Sequence, residues 1–275
     1  MLAMHPDPQY LLGRSDHETA RLRRQAQLYG PLTRRLLIDA GVGAGMRVLD
    51  VGSGAGDVAL LVAELVGPTG EVVGLDTNGQ ILEVARNRVQ AAGWTNISFS
   101  EGDIRTARTE GLFDAAVGRF ILFAVQNRSD VLRSCIGRLR PGGLAVFQEH
   151  DALTLYRAVP LSPLVEQWRR WVSELLEAID VDLSFSWQLH ADFCAAGLRA
   201  PQMRCEVPIG GGPDWIGYEF LQDHARSLHD LLIQHNIARD DEMQVDTLAA
   251  RLRAETVNNG GVFCAVPALG IWART

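Results

Sequence analysis

The segment from Arg47 to Asp57, RVLDVGSGAGD, decides the fold of this chain. Its first five residues are mostly apolar and β-branched, which is typical of a buried parallel strand. Three alternating glycines follow at Gly52, Gly54 and Gly56, and a helical pattern begins directly after them. Glycines at such a point permit unusual backbone dihedrals and let a ligand approach the main chain closely. We therefore expect a ligand-binding loop at the end of a strand.

The alternation of apolar strands and amphipathic helices continues along the chain. Strands and helices that alternate at this interval form right-handed β-α-β units and a parallel sheet. The predicted strands cover residues 47–51, 71–75, 97–100, 113–117, 144–148, 203–208 and 262–273. The predicted helices cover residues 15–29, 32–40, 57–66, 80–92, 131–139, 161–179, 186–196, 215–235 and 240–258. The sequence thus predicts a doubly wound α/β fold.

Composition narrows the class of protein. The 275 residues are 47% hydrophobic and 21% charged, which suits a packed, water-soluble core. The formal net charge of −7 argues against nucleic acid as the main partner, because phosphate binding needs a concentrated basic surface. The four cysteines are scattered and lack zinc-site spacing, so we expect no metal. With neither a signal-like segment nor a membrane span, a cytoplasmic protein is expected.

Three acidic residues lie at the ends of three successive predicted strands. Asp50 precedes the glycine loop, Asp76 ends the second strand, and Asp103 follows the third. A carboxylate at the position of Asp76 suits the hydroxyls of a ribose. The loop spacing, Gly-x-Gly-x-Gly, differs from the Gly-x-Gly-x-x-Gly of dinucleotide-binding proteins, which seats a pyrophosphate. Each acid also has a structural interpretation: Asp50 as a loop anchor, Asp76 as a helix cap and Asp103 as a turn former.

From residue 47 to 151 the sequence resembles the class I S-adenosylmethionine-dependent methyltransferases. The resemblance rests on the motifs VLDVGSGAGD, VVGLDTN, EGDI, FDAAVGRFILF and LRPGGLAVFQE, which occur in that order. It is strongest to the branch that holds the ubiquinone and menaquinone biosynthesis enzymes and many natural-product methyltransferases. The family implies a mostly parallel seven-stranded sheet with a helical cap and an antiparallel last strand, for which residues 262–273 are the candidate.

The resemblance also implies a set of cofactor-binding residues. The glycine loop would pass beside the methionine portion of S-adenosylmethionine, Asp76 would hold its ribose, and Asp103 with Ile104 would meet its adenine. Arg119 and Phe120 would line the site after the fourth strand. In this family the N-terminal helix often folds over the cofactor, so Gln25 and Tyr29 are candidates, although simple helix packing explains them equally well. The complete predicted set is Asp50, Gly52, Ser53, Gly54, Gly56, Asp76, Thr77, Asp103, Ile104, Arg119, Phe120, Gln25 and Tyr29.

Two candidates for a catalytic group follow the fifth strand. Glu149 continues the strand most directly, and His150 has the intrinsic pKa better suited to a general base. Because side chains alternate along a strand, only one of the two is expected to face a cleft. The alternative is that both are polar residues that cap the next element. Methyl transfer depends mainly on proximity and orientation, so a catalytic group is not obligatory.

The expected domain organisation is residues 1–45 as N-terminal helices over the cofactor site and residues 46–275 as the methyltransferase domain. Cap helices are expected within about 152–200 and 213–258. Trp168, Trp171, Trp187 and Trp215 either wall an acceptor pocket or pack in a core. Along the helix near residue 225, a stripe formed by Tyr218, Gln222, Ala225 and His229 is expected to pack, with His224 off the stripe.

The function expected from this resemblance is O- or C-methylation of an apolar or aromatic small molecule. One alternative is a protein that binds S-adenosylmethionine without methylating, such as a sensor or a cyclase. The other is a protein or nucleic-acid methyltransferase. That class is disfavoured because residues 118–121, GRFI, lack the Asn-Pro-Pro-Tyr signature of enzymes that methylate amino groups of bases or glutamine. An exchanged N-terminal helix is compatible with a homodimer.

Overall fold

The computed structural model describes residues 16–125 and 127–275, which form two compact units. The first, here the sheet unit, comprises Tyr29–Glu149, Trp187–Cys205 and Ala268–Thr275. The second, here the helical unit, comprises residues 16–28 together with His150–Ser186 and Glu206–Pro267. One boundary between the units lies inside the first helix and another lies at the end of a strand.

The sheet unit is built on seven strands in the order β3-β2-β1-β4-β5-β10-β7. The strands are β1 (Arg47–Val51), β2 (Glu71–Asp76), β3 (Ile97–Glu101), β4 (Phe113–Arg119), β5 (Leu139–His150), β7 (Gln202–Glu206) and β10 (Ala268–Arg274). The pairs β1–β2, β1–β4, β2–β3 and β4–β5 are parallel. This arrangement confirms the predicted mostly parallel, seven-stranded α/β fold.

Helices cover the sheet because its strands are apolar on both faces. Val48 of β1 belongs to a core with Val58 and Val62, whereas its neighbour Leu49 belongs to a second core with Phe147. Alternating strand residues thus enter two cores, as the period of two in a strand requires. The helices of this unit are the C-terminal part of α1 (Asp16–Ala40) and α2 (Asp57–Val66), α3 (Gly79–Ala91), α4 (Arg128–Ile136) and α6 (Phe185–Ala195).

The helical unit contains a small three-stranded sheet with helices around one aromatic core. Its strands are β6 (Arg157–Val159), β8 (Ile209–Gly210) and β9 (Val262–Cys264), in the order β6-β9-β8 with antiparallel pairing. Its helices are α5 (Pro163–Ala178), α7 (Gly217–Gln234), α8 (Asp240–Met243) and α9 (Leu248–Asn258). None of the helices formed by the described residues is long and apolar enough to cross a membrane.

Three predictions about secondary structure were wrong. The first two predicted helices are one helix, α1, which continues through Pro31. Burial of Leu32, Leu36 and Leu37 immediately after the proline outweighs its low helix propensity. The predicted start of this helix at Ser15 lies outside the described residues. The predicted helix 240–258 is interrupted by Gln244, whose φ of +44° is left-handed.

The predicted last strand, 262–273, was also wrong in its extent. It is two strands, β9 and β10, and they belong to different sheets and different units. Residues 265–267 form the break between them. An uninterrupted apolar run cannot reveal this division, because both halves are equally buried.

The segments predicted to hold cap helices differ in where they lie. All helices within 213–258 belong to the helical unit, whereas 152–200 is divided, since α5 belongs to the helical unit and α6 to the sheet unit. The predicted boundary at residues 45/46 does not coincide with the boundary of either unit.

Candidate functional site

The glycine loop leaves β1 at the carboxyl end of the parallel sheet. Gly52, Gly54 and Gly56 have φ angles of +67°, +50° and +81°, all in the left-handed region that favours glycine. The backbone N–H groups of Gly52 and Ser53 donate to the carbonyl oxygen of Leu75, at 2.8 and 3.1 Å. The loop is therefore fixed to the end of β2. No heavy atom lies within 4 Å of a Cβ built on Gly54, so this side of the loop has space for a ligand.

Asp76, at the end of β2, connects the glycine loop to the following helix. Its Oδ2 accepts from the backbone N–H of Gly54 at 2.8 Å, and its Oδ1 accepts from that of Asn78 at 2.9 Å. Asn78 in turn caps α3 through its side chain. Burial raises the pKa of Asp76, and the N–H groups of Asn78 and Gly54 act against that rise. The carboxylate is thus held in one orientation by backbone N–H groups.

Arg88 of α3 contacts the end of the glycine loop, which the sequence patterns did not predict. Its Nη1 donates to the carbonyl oxygen of Ala55 at 2.6 Å, and its Nη2 donates to the Asp57 carboxylate at 2.7 Å. It therefore holds the last turn of the loop and the first residue of α2 at once. The sequence patterns missed this contact because 31 to 33 residues separate the partners in the chain. In addition, an arginine in the last turn of a helix forms no distinctive pattern.

Asp50 is a buried acid in the strand that precedes the glycine loop. Its side chain lies in β1, the residue is 1% exposed, and neither carboxyl oxygen has a hydrogen-bond partner among the described residues. Burial raises its pKa to about 8, and the positive charge of Arg119 acts against that rise. The backbone N–H of Ala59, in α2, acts against the rise as well, and the role of loop anchor considered for Asp50 stays a prediction. A buried carboxyl group whose oxygens lack hydrogen-bond partners is expected to meet a ligand.

Arg119, at the end of β4, carries the opposite charge near Asp50. Its Nη1 donates to the hydroxyl of Thr33 at 3.3 Å, and among the described residues no carboxylate forms an ion pair with it. Burial lowers its pKa, whereas the negative charges of Asp57 and Asp50 raise it. Asp50 and Arg119 are thus a buried carboxyl group and a partly buried guanidinium that influence each other's pKa without forming an ion pair.

A buried polar chain links Arg119 to α1 and β5. The Thr33 hydroxyl lies 2.6 Å from Oε1 of Gln148 and 3.0 Å from the carbonyl oxygen of Tyr29. The ring of Tyr29 meets that of Phe120 edge to face, with centroids 5.1 Å apart. Phe120 has a φ of +57°, which is rare for a bulky residue and marks a constrained site. The structure therefore brings together three of the predicted residues, Tyr29, Arg119 and Phe120, and adds Thr33 and Gln148.

Asp103 and its neighbours occupy the turn after β3. The Asp103 carboxylate accepts from the backbone N–H of Arg105 at 2.8 Å and forms an ion pair with its guanidinium. That pair lowers the pKa of Asp103. Ile104 is buried in the sheet core, and Thr77, next to Asp76, is exposed. Asp103 therefore does act as a turn former, and its carboxylate stays ionised.

Glu149 anchors the turn that follows β4. The residue is fully buried, and its Oε1 accepts from the backbone N–H groups of Ile121 and Leu122, at 3.0 and 2.9 Å. Burial raises its pKa to about 7, while the N–H of Leu122 acts against that rise. Its Oε2 has no hydrogen-bond partner among the described residues. Glu149 therefore holds a turn that precedes it in the chain, and not the next element, which it was considered to cap. The adjacent His150 belongs to the helical unit.

The remaining candidates lie in the helical unit, except Trp187. Gln25 is buried and accepts from Arg21 at 2.8 Å. Trp168 and Trp171 lie in the core of this unit, with Trp215 packed against it, whereas Trp187 belongs to the sheet unit and is half exposed. Tyr218 and Ala225 pack as expected. His224, set aside by the pattern, is hydrogen-bonded through Nδ1 to the hydroxyl of Tyr156.

The site fits S-adenosylmethionine in its chemistry. The site has an open glycine backbone, an oriented carboxylate at Asp76, a buried carboxyl group at Asp50 and a partly buried guanidinium at Arg119. These groups match a nucleoside joined to an α-amino acid. Among residues 21–123 and 127–275, no group of three histidine, cysteine or acidic side chains is placed to hold a metal ion. The arrangement can bind and orient a charged cofactor.

Comparisons with known proteins agree with this geometry. The family model for a methyltransferase domain matches residues 43–191. The ubiquinone/menaquinone biosynthesis C-methyltransferase UbiE of Pseudomonas fluorescens (strain SBW25) is 40% identical over 126 residues, 45% of this chain and 49% of that enzyme. This chain therefore matches about half the length of that relative.

Two solved structures share the fold. The YcgJ protein of Bacillus subtilis has a TM-score of 0.55 and 20% identity, covering 89% of this chain and 97% of that one. Phosphoethanolamine N-methyltransferase 2 of Haemonchus contortus, solved with S-adenosylhomocysteine, has a TM-score of 0.56 and 16% identity, covering 89% and 52%. With more than half of the chain matched by the family model, the protein belongs to the class I S-adenosylmethionine-dependent methyltransferases, whose cofactor is S-adenosylmethionine.

Proposed function

We propose that this chain transfers the methyl group of S-adenosylmethionine to an oxygen or carbon atom of a small apolar or aromatic molecule. The observation that carries the proposal is the relation between Asp50 and Arg119. A buried carboxyl group and a partly buried guanidinium influence each other's pKa, and neither has an ion-pair partner among the described residues. Burial keeps the Asp50 carboxyl group protonated near neutral pH, and Arg119 lacks a counter-charge, so a ligand that supplies one charge of each sign suits both groups.

The α-amino acid end of the cofactor has the required charges. Its ammonium group complements Asp50, and its carboxylate complements the guanidinium of Arg119, which can form two parallel hydrogen bonds with it. Thr33 and Gln148 hold Arg119 from the other side through the Thr33 hydroxyl. In this proposal Asp50 ionises when the ligand binds, because the ammonium group favours its charged form.

The other predicted contacts complete the cofactor site as proposals. Asp76 holds the ribose, and Asp103 with Ile104 lies beside the adenine. Gly52, Ser53, Gly54 and Gly56 pass along the methionine portion, with Phe120 nearby. Thr77 and Tyr29 are assigned to the same site, and the role of Gln25, in the helical unit, as a cofactor contact stays a prediction. Support comes from the fixed orientation of the Asp76 carboxylate and from the space beside Gly54.

The cofactor supplies a methyl group that is already activated by its sulfonium. The nucleophilic acceptor atom forms the new bond as the carbon–sulfur bond breaks, and the electron pair of that bond stays on sulfur. The residues of the chain hold the partners in line, which accounts for most of the rate in such a displacement. An acceptor that loses a proton needs a base, and Glu149 and His150 remain the candidates for that role.

The name of the Pseudomonas relative, a C-methyltransferase, supports a carbon acceptor, although only half of that enzyme is matched. The nematode structure supports the fold alone, since its identity is 16%. The proposal includes a cytoplasmic location, assembly as a homodimer and no nucleic-acid partner.

The proposal is tested by a transfer assay with a radiolabelled methyl group. The full chain is incubated with labelled S-adenosylmethionine and panels of quinols, phenols and polyketides, and label is counted in the product. Transfer that depends on Arg119 supports the proposal. Tight cofactor binding without transfer to any panel would contradict it and favour a sensor. Transfer to protein or nucleic acid would overturn the choice of acceptor.

A further inference from the structure

The turn that follows β3 is fixed beside the carboxyl end of β2. The backbone N–H of Gly102 donates to the carbonyl oxygen of Asp76 at 2.9 Å. Within the turn, the carbonyl oxygen of Asp103 accepts from the backbone N–H of Thr106 at 3.0 Å, and the side chain of Ile104 is buried in the sheet core. The turn is therefore held next to the residue that is proposed to bind the ribose.

The carboxylate of Asp103 is occupied by the residue two positions further along this turn. Its Oδ1 accepts from the backbone N–H and from the side-chain Nε of Arg105, at 2.8 and 2.9 Å. Its Oδ2 accepts from the same Nε at 3.1 Å and from Nη2, with which it forms an ion pair. A carboxylate offers about four lone-pair sites. Arg105 alone makes four hydrogen bonds to this one.

The guanidinium competes with any ligand donor for these carboxylate oxygens. A two-pronged pair of an arginine with a carboxylate is strong, because both groups are ionised and their geometries match. The amino group of adenine is neutral and makes one hydrogen bond to a carboxylate oxygen. The side chains of Asp103 and Arg105 are 29% and 40% exposed, and ion pairs at such exposure are of modest strength. The pair is therefore expected to weaken recognition of the amino group without preventing ligand binding.

The charge of the pair determines which purine bases the turn accepts. Hypoxanthine has a carbonyl oxygen where adenine has its amino group, and a bare carboxylate repels that oxygen whereas a guanidinium donates to it. With Arg105 beside Asp103, the turn presents both signs of charge, so adenine and hypoxanthine are expected to bind with similar affinity. Without the guanidinium, the carboxylate would favour adenine.

We propose that Arg105 limits the selectivity of this site for the amino group of adenine, because its guanidinium occupies the carboxylate of Asp103. The inference rests on the proposed function, which places the adenine of S-adenosylmethionine beside Asp103. Arg105 acts through Asp103 and is therefore a positioning residue. The site selects the purine nucleoside as a whole more strongly than the substituent at position 6 of its base.

Two ligands that differ only at this position test the selectivity. The affinities of S-adenosylhomocysteine and S-inosylhomocysteine, which carries hypoxanthine, are measured by calorimetry with the full chain. The wild-type chain is expected to prefer the adenosyl ligand by less than about 3-fold. Arg105→Ala keeps the backbone N–H of the turn and should raise this preference to about 10-fold or more, as should Arg105→Met. Arg133→Ala, which removes an exposed arginine from its pair with Asp130, should leave the preference unchanged.

A double variant separates this role from simple support of the turn. Asp103→Asn keeps an oxygen for the backbone N–H of the turn, and its amide N–H can donate to the carbonyl oxygen of hypoxanthine. Combined with Arg105→Ala, it should reverse the preference in favour of S-inosylhomocysteine, whereas loss of structural support would weaken both ligands alike.

Three results would overturn the inference while S-adenosylhomocysteine still binds. They are a wild-type preference of about 10-fold or more, an unchanged preference in both Arg105 variants, and a double variant that keeps the preference of Arg105→Ala. Failure of S-adenosylhomocysteine to bind the wild-type chain would overturn the proposed function together with this inference. The same titrations therefore distinguish the two failures.

Discussion

The carboxylate of Asp76 accepts a hydrogen bond from the backbone N–H of Gly54, 2.8 Å away, although 22 residues separate them in the chain. The same carboxylate accepts from Asn78 on its other oxygen. The residue proposed to hold the ribose is therefore also the residue that sets the position of the glycine loop. Cofactor affinity and loop geometry are coupled at this one side chain.

The open space beside Gly54 predicts a specific effect of a methyl group. Gly54→Ala and the control Gly260→Ala, at the end of α9, each place an alanine at a left-handed φ, +50° and +58°, with no heavy atom within 4 Å of the new Cβ. Both are expected to destabilise the fold by about 1 kcal/mol. Only Gly54→Ala is expected to weaken S-adenosylhomocysteine binding, by about 10-fold. Calorimetry and urea unfolding measure the two effects, and equal affinities for the two variants would argue against a ligand beside Gly54.

The raised pKa of Asp50 predicts how the free energy of unfolding depends on pH in the absence of ligand. Its pKa is about 8 in the folded chain against an ordinary value of 3.8, so the folded state keeps a proton that the unfolded state releases. The free energy of unfolding should therefore fall as pH rises between these values. Asp50→Asn cannot titrate and is expected to be about 1 to 3 kcal/mol more stable than the wild-type chain at pH 8.

Urea unfolding of both chains at several pH values measures this difference. Glu149, whose raised pKa has the same sign, remains in both chains and leaves part of the slope up to about pH 7. The gap between the two curves should consequently widen as pH rises. Parallel curves would contradict the buried state assigned to Asp50. Asp50→Asn should also bind S-adenosylhomocysteine more weakly.

Arg119 is predicted to recognise the amino-acid end of the cofactor. Arg119→Met should weaken the binding of S-adenosylhomocysteine by about 30-fold or more, because a charge-assisted pair of hydrogen bonds is lost. It should leave the affinity for 5′-methylthioadenosine, which lacks the amino-acid carboxylate, nearly unchanged. Arg133→Met, which removes an exposed arginine, is the control. Equal losses for both ligands would show that Arg119 supports the fold of the site instead.

Glu149 is predicted to act through the turn that it anchors. Glu149→Gln keeps an oxygen for the N–H groups of Ile121 and Leu122 and should change the free energy of unfolding by less than about 1 kcal/mol. Glu149→Ala leaves both groups unsatisfied and should cost about 2 to 4 kcal/mol. Methyl transfer should persist in the glutamine variant. A stable but inactive Glu149→Gln would instead identify Glu149 as the general base.

Much of the sheet unit follows from local patterns. Short β-branched runs such as Val48 to Val51, separated by helices of regular length, are enough to predict a parallel sheet with a loop at Gly52. The acids at the strand ends were found for the same reason, since strand ends are set by local sequence. The patterns gave a wrong prediction where burial in the tertiary structure outweighs local propensity, as in α1, which continues through Pro31.

Contacts between distant segments were beyond these patterns. Thr33 meets Gln148 across 115 residues, and Tyr156 meets His224 across 68. Neither pair has a spacing that a periodicity can detect. His224 was set aside because it lies off the predicted stripe of its helix, yet its side chain is hydrogen-bonded to Tyr156, a residue of the core of the helical unit. The polar contacts that support the site therefore had to come from the structure.

Calorimetric titration of S-adenosylhomocysteine into the full chain tests the central claim most directly. The account predicts saturable binding with one site per chain, and a loss of at least about 10-fold in affinity for Asp76→Ala. Glu71→Ala, which removes an exposed acid at the other end of β2, should bind like the wild-type chain. Absence of binding by the wild-type chain, or equal binding by the Asp76→Ala variant, would contradict the cofactor site described here.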